Sequence, residues 1–323
     1  MSKFRIRTER LDKYKTQLWD VVIVGGGAAG VAAAIYAARY MLKTIIVTET
    51  EGGTLLEAAE IENYPGFPSI LGPDLAVKFY EHLRKYDVPI LKARVIGIEK
   101  KDDGTFTIKG TRGLELRSKT VILAIGTIRR KLGVPGEEEL AGRGVSYCTV
   151  CDAPIFKGRV VAVVGGGDSA LQGALLAAKH ASKVYLIHRR SQFRAQPIYV
   201  KQVKKIPKIE LILNETVVEI GGKEKVEWIR LRSGRILKVD GIFIEIGEEP
   251  PREFLKSIGL ELDEKGFVKV KEDMSTNIPG IFAAGDVTNI PLKQVVTAVY
   301  TGARAATSAY KYISHRQYSG WGA

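Results

Sequence analysis

Apolar residues gather in short continuous runs, separated by glycines and by longer Ala- and Leu-rich segments, and this order repeats. A β-branched run at 21–24 leads into Gly25-Gly26-Gly27, then an Ala-rich segment, then a second apolar run at 44–48. Beyond Arg159 the succession returns: a Val-rich run, Gly165-Gly166-Gly167, an Ala/Leu-rich segment and a run ending at His188. Runs that are apolar at every position, rather than at alternate ones, suit strands of a parallel sheet covered on both faces. Strand, glycine turn, helix and parallel strand make one βαβ unit. The pattern therefore predicts an α/β fold with two Rossmann-like dinucleotide-binding domains. The wide separation of the two units argues against a solenoid repeat.

Two further apolar runs, 121–126 and 241–247, are each followed by polar sequence containing glycine or proline: 127–143, and Glu248-Glu249-Pro250-Pro251. Each marks a crossing between domains. The second unit is thus expected to be inserted into the first, with 128–248 as the insert and 1–127 plus 249–323 as the flanking domain. A chain of 323 residues has the length for both.

Composition is that of an ordinary soluble globular protein, 45% hydrophobic and 26% charged. No apolar run approaches the roughly 18 residues of a membrane span. The N-terminal stretch has interspersed charges, with Glu9, Asp12 and Asp20 among them, and reads as neither a secretory signal nor a transit peptide. A cytoplasmic protein is expected. The balance is basic, 49 Lys+Arg against 36 Asp+Glu for a net charge of +13. These cations are spread along the whole chain, which points to solvated surfaces that attract acidic partners rather than to a nucleic-acid groove.

Gly25, Gly27 and Gly30 form G-x-G-x-x-G, with Ala28 and Ala29 inside it, and Glu49 closes the following strand nineteen residues beyond Gly30. Glycine serves the tight turn, the approach of a pyrophosphate and helix–strand packing, and the helix N-terminus offers backbone N–H groups to the phosphates. A carboxylate at Glu49 is placed for the hydroxyls of an unmodified ribose. The second motif, Gly165, Gly167 and Ala170, encloses Asp168 and Ser169. Its second strand ends in His188-Arg189-Arg190, followed by Phe193-Arg194. Guanidinium groups bind a 2′-phosphate where a carboxylate would repel it. This pairing asks for NADP(H) at the second site and FAD or NAD at the first, and so for hydride traffic between NADPH and FAD.

The chain has two cysteines, Cys148 and Cys151, too few for a disulfide-stapled secreted scaffold. Zinc would need two more ligands, and the four histidines, His82, His180, His188 and His315, form no cluster with them. A structural disulfide across so short a loop stabilises little, and inert buried thiols are the other bland reading. Beside two dinucleotide sites, a redox C-x-x-C is favoured, with Asp152 expected to relay the proton that thiol exchange requires.

Taken together, these motifs resemble low-molecular-weight thioredoxin reductase. The resemblance covers about 18 to 311 and rests on the order Gly25–Gly30, Glu62-Asn63-Tyr64-Pro65-Gly66, Cys148-Thr149-Val150-Cys151-Asp152, His188-Arg189-Arg190 with Phe193-Arg194-Ala195, and 278–286. It implies that Asp286, after Gly285, meets the ribityl-phosphate arm of FAD. It also places Asn63, Gly126 and the backbone of Gln294 beside the flavin. Cysteines lying between the two units, rather than near the first, favour this branch over the glutathione-reductase branch. The chain departs from the family at Gly52-Gly53-Thr54, where Gly-Gly-Gln is usual, and at Lys293-Gln294-Val295, where Arg-Gln-Ala is usual. The first 18 or so residues have no counterpart. A thioredoxin-like partner and a homodimer are implied by the resemblance alone.

The implied cycle passes hydride from NADPH to the flavin, opens the Cys148–Cys151 disulfide, and lets the dithiol attack a thioredoxin-like protein. Nicotinamide and cysteines share the insert while the flavin sits on the other domain, so the insert is expected to swing about 127–134 and 247–251. An NADPH oxidase or a ferredoxin-linked flavin reductase on the same scaffold is the second reading, and charge-driven binding to nucleic acid is the third.

Overall fold

The computed structural model describes residues 12–58 and 60–319. Most of the N-terminal stretch considered above lies outside the described residues. The chain divides into two compact units: residues up to Leu56 with Glu62–Thr127 and those from Pro250 onward, and Glu57–Ile61 with Ile128–Glu249. The short segment Glu57–Ile61 joins the second unit, which the pattern of runs gave no reason to expect.

In the first unit, β1 (Leu18–Val24) leads through the glycine turn to helix α1 (Ala28–Arg39) and then β2 (Thr44–Thr48). Alanine carries the best helix propensity and no side-chain entropy to lose, and α1 buries Ala28, Ala29, Ala32, Ala33, Ala34 and Ala37. Strand β3 (Leu114–Leu123) pairs in parallel with β1. It starts earlier than the apolar run at 121–126 implies and stops short of that run's end. Its ten residues serve two further neighbours: 114–118 pair antiparallel with Phe106–Gly110, and 121–123 pair in parallel with Ile281–Ala283. The core beneath includes Val22, Ile45, Phe106, Ile108, Leu116 and Val121, all at 0% exposure.

The second unit repeats the scheme with β4 (Val160–Gly165), helix α2 (Asp168–His180), β5 (Lys183–His188) and, later in the chain, β6 (Gly241–Glu245). Its five-stranded sheet runs Val145–Ser146, β6, β4, β5, Ile209–Leu213, with every pairing parallel. A three-stranded antiparallel sheet (Val217–Gly221, Trp228–Leu231, Ile236–Lys238) adds its own buried face of Ile220, Ile229 and Leu231. Where the chain enters and leaves this unit, Ile128–Arg129 and Glu248–Glu249 pair as an antiparallel ribbon.

Candidate active site and nucleotide loops

The first loop follows directly from its steric demands. Gly25 has φ +111°, and a β-carbon on it would lie 2.2 Å from the Ala124 carbonyl oxygen. One on Gly30 would lie 2.0 Å from the Gly25 oxygen, so neither position accepts a side chain without moving backbone. Gly27 caps α1 in extended conformation, with no side-chain cap and only Gly52 O, at 4.0 Å, near where a β-carbon would be. The N-terminal turn of α1, with Ala28 and Ala29, therefore presents its N–H groups and dipole to an anion at close range.

Tyr80 holds this loop from below. Its hydroxyl donates to Gly26 O (2.7 Å) and accepts from Gly52 N–H (3.3 Å). The Gly52 N–H also reaches Gly26 O at 3.0 Å. Gly53 is thereby set beside Gly27, with Thr54 next in the chain, while Glu49 stands exposed just past β2, its carboxylate 3.9 Å from Arg94. Asn63 and Gln294, far apart in sequence, meet through Nδ2 to Oε1 at 3.0 Å. Val295 opens the long C-terminal helix Val295–Ser319, and Gly285 N–H donates to Thr301 Oγ1 of that helix at 2.9 Å. Asp286 follows in the turn Gly285–Val287, and Gly126 turns away from β3 with φ +63°. The residues fit a dinucleotide with an unmodified ribose: an uncapped helix N-terminus at a glycine loop, and a carboxylate at the adjacent strand end.

The second loop repeats the extended glycine cap over another floor. Gly167 caps α2 without a side-chain bond. Asp168 in the first turn accepts from Gln196 N–H (2.7 Å) and Nε2 (2.8 Å), and Ser169 beside it is exposed. His188 is buried beneath Gly166, where a β-carbon would lie 2.1 Å from its ring, and it stacks on Phe193. Burial pulls the imidazole pKa down, the bond to the Gln192 carbonyl opposes this, and the charges of Arg194, Arg190 and Arg189 add to the fall. The ring is therefore neutral at neutral pH. Arg189 and Arg190 are exposed at the strand end, and Arg194 is tied over the loop by its N–H to Gly166 O (2.8 Å). Three exposed guanidinium groups around a glycine loop fit a phosphate-bearing ribose.

Cys148 and Cys151 are joined as a disulfide, with Cα atoms 5.4 Å apart. Cys148 caps the short helix Thr149–Asp152, its Sγ accepting from Cys151 N–H at 3.2 Å, and its own N–H donates to Ser146 Oγ at 3.1 Å. Cys148 is half-buried and Cys151 exposed, with half-buried Asp152 closing the turn. Tyr147 donates to the buried Glu137, which also takes the N–H groups of Leu132 and Gly133. Two residues on, Thr149 Oγ1 donates to Glu245. Tyr80, Glu137 and Glu245 carry no role in the sequence reading, and Thr149 enters it only as a member of the cysteine motif. A signal existed for Glu245, a carboxylate inside the apolar run 241–247. Among the described residues no group of three His, Cys, Asp or Glu is arranged to hold a metal, and no helix is long and apolar enough to cross a membrane.

Residues 19–303 match the family model described as pyridine nucleotide-disulphide oxidoreductase. The chain is 42% identical over 305 residues to the thioredoxin reductase of Listeria innocua, covering 92% of this chain and 94% of that protein. The solved structure of Lactococcus lactis thioredoxin reductase in its FR conformation superposes with a TM-score of 0.87 at 40% identity, covering 92% of this chain and 99% of that one. That of the T. acidophilum thioredoxin reductase gives 0.86 at 38% identity, covering 91% and 98%. With its two glycine loops and its bonded cysteine pair, this chain belongs to the pyridine nucleotide-disulphide oxidoreductase family, among the low-molecular-weight thioredoxin reductases.

Proposed function

We propose that the chain is an NADPH-dependent thioredoxin-disulfide reductase working through FAD. The observation that carries this reading is the Cys148–Cys151 disulfide, placed on the same unit as the arginine-rich nucleotide loop with Cys151 exposed. When bound, NADPH supplies a hydride and FAD converts it into the two electrons that open a disulfide.

The chain's own residues do the rest. Gly25, Gly27, Ala28, Ala29 and Gly30 hold the FAD pyrophosphate at the N-terminus of α1, and Glu49 takes its ribose hydroxyls. Gly53, Thr54, Asn63, Gly126, Gly285, Asp286, Gln294 and Val295 border the remainder. Gly165, Gly167, Asp168 and Ser169 hold the NADPH pyrophosphate. Arg189, Arg190 and Arg194 take its 2′-phosphate, with His188 beneath them. Opening the Cys148–Cys151 bond takes two electrons and two protons and yields two thiols. One thiolate attacks the partner's disulfide to form a mixed disulfide. The other cysteine then attacks the sulfur from Cys148 or Cys151 in that bond, which re-forms Cys148–Cys151 and leaves the partner with two thiols. Asp152, in the same turn, relays the protons. The net charge of +13 favours an acidic thioredoxin-like partner. A cytoplasmic homodimer completes the reading by the family resemblance.

Anaerobic titration of the FAD-loaded protein with NADPH tests it. The wild type is expected to take up four electrons per flavin and Cys151→Ser two. A wild type that stops at two would remove the dithiol from the cycle.

A further inference from the structure

Buried carboxylates bond the residues on either side of Cys148, Glu137 to Tyr147 and Glu245 to Thr149, and one of them is more heavily engaged than strand packing requires. Glu245 ends β6 with 7% exposure. Its Oε1 accepts from Thr149 Oγ1 at 2.9 Å, and the backbone N–H of Thr149 is a further donor to the carboxylate. Its Oε2 accepts from Arg129 Nη1 at 2.9 Å, while Arg129 turns Nε and Nη2 to Glu57. Burial pushes the Glu245 carboxyl above the usual range, opposed by Arg129 and by both donors of Thr149. Burial also weakens the Arg129 charge, but Glu245 and Glu57 outweigh it. A buried ion pair of this kind adds little net stability over an apolar residue of similar volume. What it holds is specific: Thr149 is 2% exposed, follows Cys148 directly and opens the turn that carries Cys151.

We propose that Glu245, held by Arg129, is a positioning residue for the redox pair: by gripping Thr149 it keeps Cys148 and Cys151 in bonding register when the disulfide is open. Closing the disulfide is an intramolecular reaction, favoured in proportion to the effective concentration of one thiol at the other. A gripped turn keeps that concentration high, which favours the disulfide and makes the dithiol the stronger reductant. Loosening the grip should therefore move the pair toward dithiol.

The inference rests on Cys148–Cys151 being the working pair, and the experiment separates the two ideas. Full-length, FAD-loaded protein is equilibrated in dithiothreitol buffers, quenched in acid, alkylated and weighed. In each exchange dithiothreitol gives two electrons and two protons, closing to its cyclic disulfide while the Cys148–Cys151 bond opens to two thiols. Thr149→Val and Glu245→Gln should each shift the equilibrium about tenfold toward dithiol, which is about 30 mV. Thr149→Ser, which keeps the hydroxyl, should stay within about twofold of wild type. A purely structural role would lower melting temperature without moving the equilibrium. An unmoved equilibrium in folded Thr149→Val overturns the proposal, and that variant decides alone should Glu245→Gln fail to fold. A wild type whose cysteines cannot be reduced and reoxidised would instead sink the reductase reading.

Discussion

In the first glycine loop a β-carbon on Gly26 would meet Thr48 and the Tyr80 hydroxyl; in the second, one on Gly166 would meet the ring of His188. The third motif position also differs. Gly30 lies so close to the Gly25 oxygen that a side chain is excluded, whereas the second loop carries Ala170 there, buried. At the strand ends the contrast is electrostatic, exposed Glu49 against exposed Arg189 and Arg190. Both loops offer the same anion cradle of backbone N–H groups. The cradle therefore cannot choose its ligand. Choice falls to the strand-end side chains, and the fit of the loop to its own unit falls to the residues beneath it.

Exchanging the third position breaks the comparison most severely. Gly30→Ala puts a methyl 2.0 Å from a backbone oxygen, an overpacking cost at the upper end of about 1–3 kcal/mol. FAD affinity should fall about 100-fold, read by flavin fluorescence during titration of the apoprotein. The mirror change, Ala170→Gly, should leave NADPH affinity within about twofold. FAD bound as tightly by Gly30→Ala as by wild type would show that close approach does not govern the first loop.

Strand-end charges come next. Arg189→Ala and Arg190→Ala each remove a charge-assisted bond worth about 1.5–3 kcal/mol. Steady-state kinetics should show KM for NADPH rising about 10- to 100-fold, with NADH kinetics unchanged. Equal losses for both nucleotides would mean that the arginines support the loop rather than read the 2′-phosphate. Glu49→Gln is gentler, because the carboxylate is exposed and keeps only a distant contact with Arg94. A loss of FAD affinity of about tenfold or less is expected. A loss as large as that of Gly30→Ala would make Glu49 the dominant anchor.

The parts of this comparison that were legible in sequence are those that follow from local chemistry. Apolar runs at 21–24 and 44–48 fall within β1 and β2, and the glycine spacing put both loops at strand ends. The bonded Cys148–Cys151 pair agrees with the redox C-x-x-C that the spacing favours beside two glycine motifs. What could not be read depends on contacts between distant segments. Nothing near Tyr80 in the chain indicates that it supports Gly26 and Gly52, and nothing near Thr149 names Glu245 as its partner. Strand β3 extends beyond its apolar run for a related reason. Its first half alternates buried and exposed residues against a hairpin partner, while only its second half is continuously apolar. Continuous apolar runs mark the second half of the strand and not the first.

The two floors also differ in how they meet acid, and this gives the smallest effect. Thr48 does not titrate, and burial raises the Tyr80 hydroxyl pKa, so the first floor stays uncharged across the acid range. His188 is the reverse: burial lowers its pKa, and Arg194, Arg190 and Arg189 lower it further. The unfolded chain therefore takes up a proton near the ordinary histidine value of about 6.5 while the folded one still refuses it. Stability from the neutral ring is complete above that value and is lost as pH falls below it toward the depressed one. The slope for a single site cannot exceed about 1.4 kcal/mol per pH unit. Melting curves between pH 7.5 and 5.5 should show the wild type weakening on the acid side and His188→Gln weakening less steeply. The lost packing of that variant shifts the whole curve and leaves its slope to be read. Parallel slopes for the two proteins would mean that His188 is not the group titrating beneath the second loop, and the contrast between the floors would then be one of shape alone.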